Sequence, residues 1–206
     1  VGPIFPRANM LAEMSGATSI QVLENDLRVA LAARDIDAIM LMVDSPGGAV
    51  SGVSELAGLI YRSRKTKPIH AFVSGTGASA AYWLASQASE VIVEQTALVG
   101  SIGVATVASY QVQPDSAGRM DVEVVSTNAP NKRPDMATEE GIAETRGVLD
   151  AIEAIFVGDV ARGRKVGAGT VRNDFGRGGL LVGNAAVAAG MADRVSTLEN
   201  SLNTLA

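Results

Sequence analysis

Short, unbroken apolar runs alternate with amphipathic segments of helical period, and that alternation limits the fold more than any other feature of this chain. Ala38 to Val43 is apolar throughout and stops at Asp44-Ser45-Pro46-Gly47-Gly48. A run so short and so bounded predicts a strand buried on both faces, ending in a turn. Val53, Leu56, Ala57 and Ile60 then share one helical face. Ile69 to Ser74 reads as the next strand, Gly75 to Ser79 as a loop, and Ala80 to Ala85 as an apolar helix. Val91 to Val93 and Val122 to Val125 are further predicted strands, with a tight loop at Val99 to Gly103. Upstream, Gly2 to Gly16 reads as an irregular entry, and Thr18-Ser19 caps a helix carrying Leu23, Leu27 and Leu31. Continuously apolar strands separated by helices mark an α/β fold with repeated βα crossovers.

The second half is more helical. Asp135 or Thr138 caps a long helix over about 137–164, with Ile142, Leu149, Ile152, Phe156 and Val160 at steps of three, four and seven, and this helix reads as a C-terminal helical arm. Residues 165–206 read as a closing stretch, in which a Gly/Arg-rich loop reaching Gly179 leads to a short helix over Asn184 to Ala189 and a strand over Asp193 to Val195. The 206 residues fit a single domain, large enough to bury a core without disulfides or metals.

Composition removes most catalytic chemistries. There is no cysteine and one histidine, His70, so thiol nucleophiles, iron–sulfur ligation and zinc sites built from several His or Cys are excluded, and no metal or cofactor is expected. His70 lies in the middle of an apolar strand and reads as a structural residue. The formal charge of −5 argues against a nucleic-acid partner. The cluster Arg62, Arg64, Lys65 and Lys67 reads as a helix C-terminus and its exit loop, where cations suit the helix dipole. No run of about 18 apolar residues predicts a membrane span. The chain opens on Val1, which fits a processed product or a trimmed chain, so a membrane anchor removed upstream stays open as an alternative.

Two segments carry the chemistry. Gly77-Ala78-Ser79-Ala80-Ala81 stands where strand and loop give way to a helix. Small neighbours let a sharp turn expose the Ser79 hydroxyl, and the first helical N–H groups are free to hold an oxyanion. The same pattern also describes a simple serine N-cap. Gly47-Gly48, at the carboxyl end of a strand, suits either an oxyanion turn or a plain strand-to-helix connection. A nucleophilic Ser79 needs a base, and the only histidine precedes it, which excludes the Ser-acid-His order of α/β-hydrolases and leaves Lys, Asp and Glu.

Ser-Pro-Gly-Gly after a strand, Ala78-Ser79-Ala80-Ala81-Tyr82-Trp83, and Val99-Gly100-Ser101-Ile102-Gly103-Val104 occur in an order that resembles the signal peptide peptidase A family. These are serine–lysine peptidases of the Clp-protease/crotonase-like superfamily, and within them the chain looks most like phage and prophage head maturation proteases. The closing Asn184-Ala185-Ala186 through Asp193 is similar to the family's last helix and strand. The resemblance implies a Clp-protease/crotonase-like fold of ββα and βα units. It implies Ser79 as nucleophile, Ser101 as the serine that aims the lysine, and Gly48, with Gly47, and Ala80 as oxyanion donors. Lys132 matches the general base, in a loop that reads Ser126-Thr127-Asn128-Ala129-Pro130-Asn131-Lys132 where the family has a shorter Ser-Gly-x-x-Lys. Arg133 beside it stays charged and cannot be a base. The resemblance further implies polypeptide substrates such as capsid or scaffold proteins, a homo-oligomer with shared active sites, and a place in the cytoplasm or inside a procapsid. A cellular peptidase of signal-peptide remnants, a crotonase-like acyl-CoA enzyme and a non-catalytic assembly protein remain alternatives.

Overall fold

A computed structural model describes residues 1–7 and 16–205 of the chain. They fall into two compact units, Val1–Gly103 together with Ile155–Ala206, and Val104–Ala154.

The larger unit is mixed α/β. It opens with β1 (Ile4–Phe5), paired in parallel with β2 (Thr18–Ser19), and then α1 (Ile20–Ala32). Ser19 is the N-cap expected, its Oγ accepting from Val22 N at 3.4 Å. Then come β3 (Ile39–Ser45), α2 (Val53–Ser63), β4 (Ile69–Ala78), α3 (Ala80–Ala85), β5 (Glu90–Val93) and β6 (Leu98–Gly100). β3, β5 and β6 all pair with β4 in parallel, which requires the intervening crossovers. β3 lies along one edge of β4. On the other edge β5 pairs with His70–Val73 and β6 with Thr76–Ala78, so the single ten-residue strand serves two neighbours in succession. Val53, Leu56, Ala57 and Ile60 of α2 are all buried, as their shared face predicts. The cationic cluster follows the end of α2 as expected, but its side chains serve other helix ends: Lys67 Nζ donates to the carbonyls of Ala30 and Ala33 at the end of α1, and Arg64 Nη1 to those of Gln87 and Ala88 after α3.

Several local expectations change, among them the tight loop read at Val99 to Gly103, whose first two residues lie in β6 because they pair with β4. β3 is not buried on both faces: of its seven residues only Ser45 is buried, and Met42 is 43% exposed. β4 does not stop at Ser74 but runs through the glycines, because Gly77 pairs on both edges and a Cβ there would press on the side chains of Val73 and Val43. The Gly/Arg-rich stretch after Gly163 is not a plain loop. It holds α5 (Ala168–Asp174), a 3-10 turn and β7 (Leu180–Val182), which pairs antiparallel with β6. The chain then closes through α6 (Gly183–Ala188), β8 (Arg194–Val195) against β5, and a final helix, Leu198–Asn203.

The smaller unit contains no strand among its described residues. Val122 and Val124, predicted to lie in one, are 81% and 89% exposed and have no ladder partner. A long helix, α4 (Glu139–Arg164), starts here and is capped by Thr138, whose Oγ1 accepts from Gly141 N at 3.1 Å. Asp135 Oδ1 accepts from Ala137 N at 2.9 Å in the turn that precedes the helix. The unit boundary falls within this helix. Beyond it, Phe156, Val157 and Val160 are buried in the core of the larger unit.

Candidate active site

Ser79 sits at the junction of β4 and α3 with φ 52° and ψ −125°, backbone angles that an L-residue adopts only under constraint. Such a conformation costs on the order of 1–3 kcal/mol and persists only where surrounding bonds over-determine it. Here Ser79 N donates to Gly100 O at 2.8 Å, and Ser79 O accepts from Trp83 N at 2.9 Å. Ser79 occupies the N-cap position, yet its side chain makes no capping bond to α3. The plain N-cap alternative therefore does not describe this residue: the hydroxyl, half-buried, is left for other work.

The Gly-Gly turn after β3 meets this elbow directly. Gly47 has φ +97°, and a Cβ built on it would lie 2.7 Å from Ser79 Cβ, 2.8 Å from Ala78 O and 3.0 Å from Ala80 N. Only glycine permits both the backbone angle and the approach. The turn is held from behind. Gly47 N donates to Ser45 Oγ at 3.1 Å, Ile4 N to Gly47 O at 2.8 Å, and Ala49 N to Ile4 O at 3.0 Å. This β1 contact also fills the space a Gly48 side chain would need. Among the described residues, the N–H groups of Gly48 and Ala80 donate to no acceptor of the chain.

Ser101 follows β6 as Ser79 follows β4. Ala78 pairs with Gly100, so the two serines leave neighbouring parallel strands at the same level. Ser101 also has a positive φ, 53°, and its N–H donates to Gly179 O at 2.8 Å. The structure thus brings Ser79, Gly47, Gly48, Ala80 and Ser101 to one end of the sheet. Lys132 belongs to the other unit, where it ends a 3-10 turn, Pro130–Lys132. Its neighbour Arg133 is paired with Glu123 at 2.8 Å.

His70 is placed as expected of a structural residue. It lies nine positions before Ser79 on β4, about 30 Å away at some 3.3 Å per residue. Its Nδ1 is 3.2 Å from Glu90 Oε2, without hydrogen-bond geometry. Burial holds the imidazole below its usual pKa, against the opposing pull of Glu90.

Sequence reading missed the polar anchors behind α3. Tyr82 Oη donates to Met191 O at 2.8 Å, and burial pushes its phenol well above the ordinary range. Trp83 stacks on Phe156 with ring centroids 4.4 Å apart, and its Nε1 donates to the buried carboxylate of Asp159 at 2.8 Å. The available signal was an aspartate set between Phe156, Val157 and Val160 on an apolar helix face.

A strained serine at a strand-to-helix elbow, with a glycine turn packed on it, is an arrangement that serine hydrolases use. The comparisons with known proteins point to a peptidase family. The model of peptidase family S49 matches residues 62–206. Head-tail preconnector protein GP5 of Enterobacteria phage P21 is 30% identical over 210 aligned positions, covering 100% of this chain and 41% of that protein. Capsid assembly protease C of Escherichia phage lambda is 39% identical over 103 positions, 50% of this chain and 24% of that protein. The chloroplastic serine protease SPPA of Arabidopsis thaliana is 30% identical over 96 positions, 47% of this chain and 14% of that protein. The chain belongs to peptidase family S49. It spans less than half the length of these curated relatives. Among the described residues, no helix is long and apolar enough to cross a membrane.

Proposed function

We propose that this chain is the peptidase domain of a serine endopeptidase that cleaves capsid or scaffold polypeptides during phage head maturation, inside the procapsid, on a Clp-protease/crotonase-like fold. The names of its phage relatives, a head-tail preconnector and a capsid assembly protease, support the substrate class. The observation that carries the chemistry is the strained Ser79, uncapped and in contact with the Gly47 turn.

In this reading Lys132, in its neutral form, takes the Ser79 proton, and the Ser79 oxygen attacks the scissile carbonyl. The N–H groups of Gly48 and Ala80 receive the oxyanion, where one such donor is typically worth about 3 kcal/mol of barrier, while Gly47, whose own N–H is taken by Ser45 Oγ, shapes the turn instead of donating as the family resemblance implied. Lys132 then passes its proton to the leaving amine, and water repeats the attack on the acyl-enzyme. Ser101 aims the lysine. The subunits form a homo-oligomer, and Lys132 acts from the same or a neighbouring subunit. Residues 1–206 work as one peptidase domain in this scheme.

The test is cleavage of casein or a peptide library, and labelling by a fluorophosphonate, with wild type, Ser79→Ala and Lys132→Ala. Loss of cleavage in both variants, with labelling lost in Ser79→Ala, is the expected result. Equal activity in wild type and Ser79→Ala refutes the nucleophile. Mixing the two inactive variants under conditions of subunit exchange restores cleavage if the base acts across subunits.

A further inference from the structure

We propose that Asp159 is a positioning residue for this peptidase site, one carboxylate oxygen tying together the helix that follows the oxyanion turn and the helix that carries the nucleophile. The inference rests on the reading of Ser79 as nucleophile. α2 begins five residues after Gly48, and α3 begins directly after Ser79. Ser54, in the first turn of α2, donates from Oγ to Asp159 Oδ2 at 2.9 Å. Trp83, in α3, donates from Nε1 to the same Oδ2 at 2.8 Å. The other oxygen, Oδ1, is paired with Arg162 Nη1 at 2.8 Å. The far end of α3 is held by the same stretch of α4: Gln87 Nε2 donates to Asp159 O and Gln87 Oε1 accepts from Arg162 Nη2, each at 2.9 Å.

A buried carboxylate is costly to desolvate and is tolerated only when its lone pairs are filled, as they are here. An apolar side chain of similar size would pack α3 against α4 without that cost, but it would not fix direction. Direction matters because α3 is only six residues long and takes little rigidity from its own hydrogen bonds. Sliding α3 against α2 moves Ser79 Oγ and Ala80 N relative to the Gly47-Gly48 turn. A displacement of about 1 Å at a reacting group can cost on the order of 10²-fold in rate. The shared oxygen sets that separation.

The experiment compares Ser54→Ala, Ser54→Thr, Trp83→Phe and Asp159→Asn in the full chain. Each is measured for peptide kcat and KM, for the rate of Ser79 labelling by a fluorophosphonate, and for melting temperature. Ser54→Ala and Trp83→Phe remove one donor each and are expected to lower kcat and the labelling rate about tenfold with KM within about twofold. Ser54→Thr, which keeps the hydroxyl, restores the rate lost in Ser54→Ala. Asp159→Asn loses as much as the two donor variants or more. Variants that melt lower yet keep wild-type kcat and labelling assign Asp159 to stability alone and overturn the proposal. Should Trp83→Phe fail to fold, the Ser54 pair decides the outcome by itself. A wild type that shows no Ser79-dependent labelling at all refutes the peptidase reading and this inference with it, whereas normal wild-type labelling matched by every variant refutes only this inference.

Discussion

Replacing Gly47 by alanine should disable the site while leaving the fold intact, and the size of the effect follows from the geometry. The added Cβ would lie 2.7 Å from Ser79 Cβ, and 2.8 Å and 3.0 Å from the backbone at Ala78 and Ala80. Carbon atoms pack best at about 3.5–4.0 Å, so the turn and the elbow must separate by about 1 Å. Neither side yields cheaply, since both are backbone tied into strands β3, β4 and β6. The substitution also places alanine at φ +97°, which adds on the order of 1–2 kcal/mol of strain. The strain lowers the melting temperature by about 3–6 °C for a chain of this size. The separation pulls the Gly48 and Ala80 N–H groups out of register with Ser79, and loss of one effective oxyanion donor is worth about 3 kcal/mol, or roughly 10²-fold in kcat/KM. Peptide cleavage kinetics, fluorophosphonate labelling and a thermal melt together read this. A folded Gly47→Ala protein with wild-type kcat/KM refutes the idea that the turn and the elbow form one site.

Further outcomes follow from the rest of the structure. Gly147 stands exposed within α4 with open space around its missing Cβ, so Gly147→Ala should raise stability by about 0.5–1 kcal/mol in chemical denaturation. Asp193 is caught between opposing effects: burial pushes its carboxyl up, but the hydrogen bonds from Arg164 and from Val91 N outweigh it and hold the pKa below the usual value. A depressed carboxylate contributes stability above its unfolded pKa of about 4 and loses it as pH falls further. Asp193→Asn should therefore melt lower at neutral pH and show a shallower fall in melting temperature below about pH 4. His70 also binds protons less readily folded than unfolded, so stability should begin to fall as pH drops below about 6.5, the unfolded value, and His70→Gln should flatten that decline in melting temperature.

Much of the frame was legible in the residues. The apolar run ending at Pro46-Gly47 marked β3, the short run Val91 to Val93 marked β5, the shared face of Val53, Leu56, Ala57 and Ile60 marked α2, and Ser19 and Thr138 were readable as caps. These are local signals: period, propensity and hydrogen-bonding side chains act within a few residues. Val122 to Val125 misled because β-branched residues mark a strand only when another strand lies beside them. β7 was missed for the converse reason, since three residues after a glycine-rich stretch become a strand only by pairing with β6.

The sequence by itself determined which chemistry remains open: without cysteine, and with its one histidine in an apolar run, a serine nucleophile must find a base other than a thiol or imidazole. It also determined which residues to watch: Ser79 and the paired glycines each stand at a break between an apolar run and a turn, and Ser101 and Lys132 are marked by the family resemblance. Whether Ser79 caps a helix or presents a free hydroxyl was decided only by the tertiary structure. The positive φ there is imposed by the pairing of β4 with β6 and by the bond to Gly100 O. The contact of Gly47 with Ser79 joins positions 32 residues apart, and the Asp159 tie joins positions 76 and 105 apart. Contacts at such separation leave no periodicity in the chain, because they arise from how the elements stack and not from how each one forms.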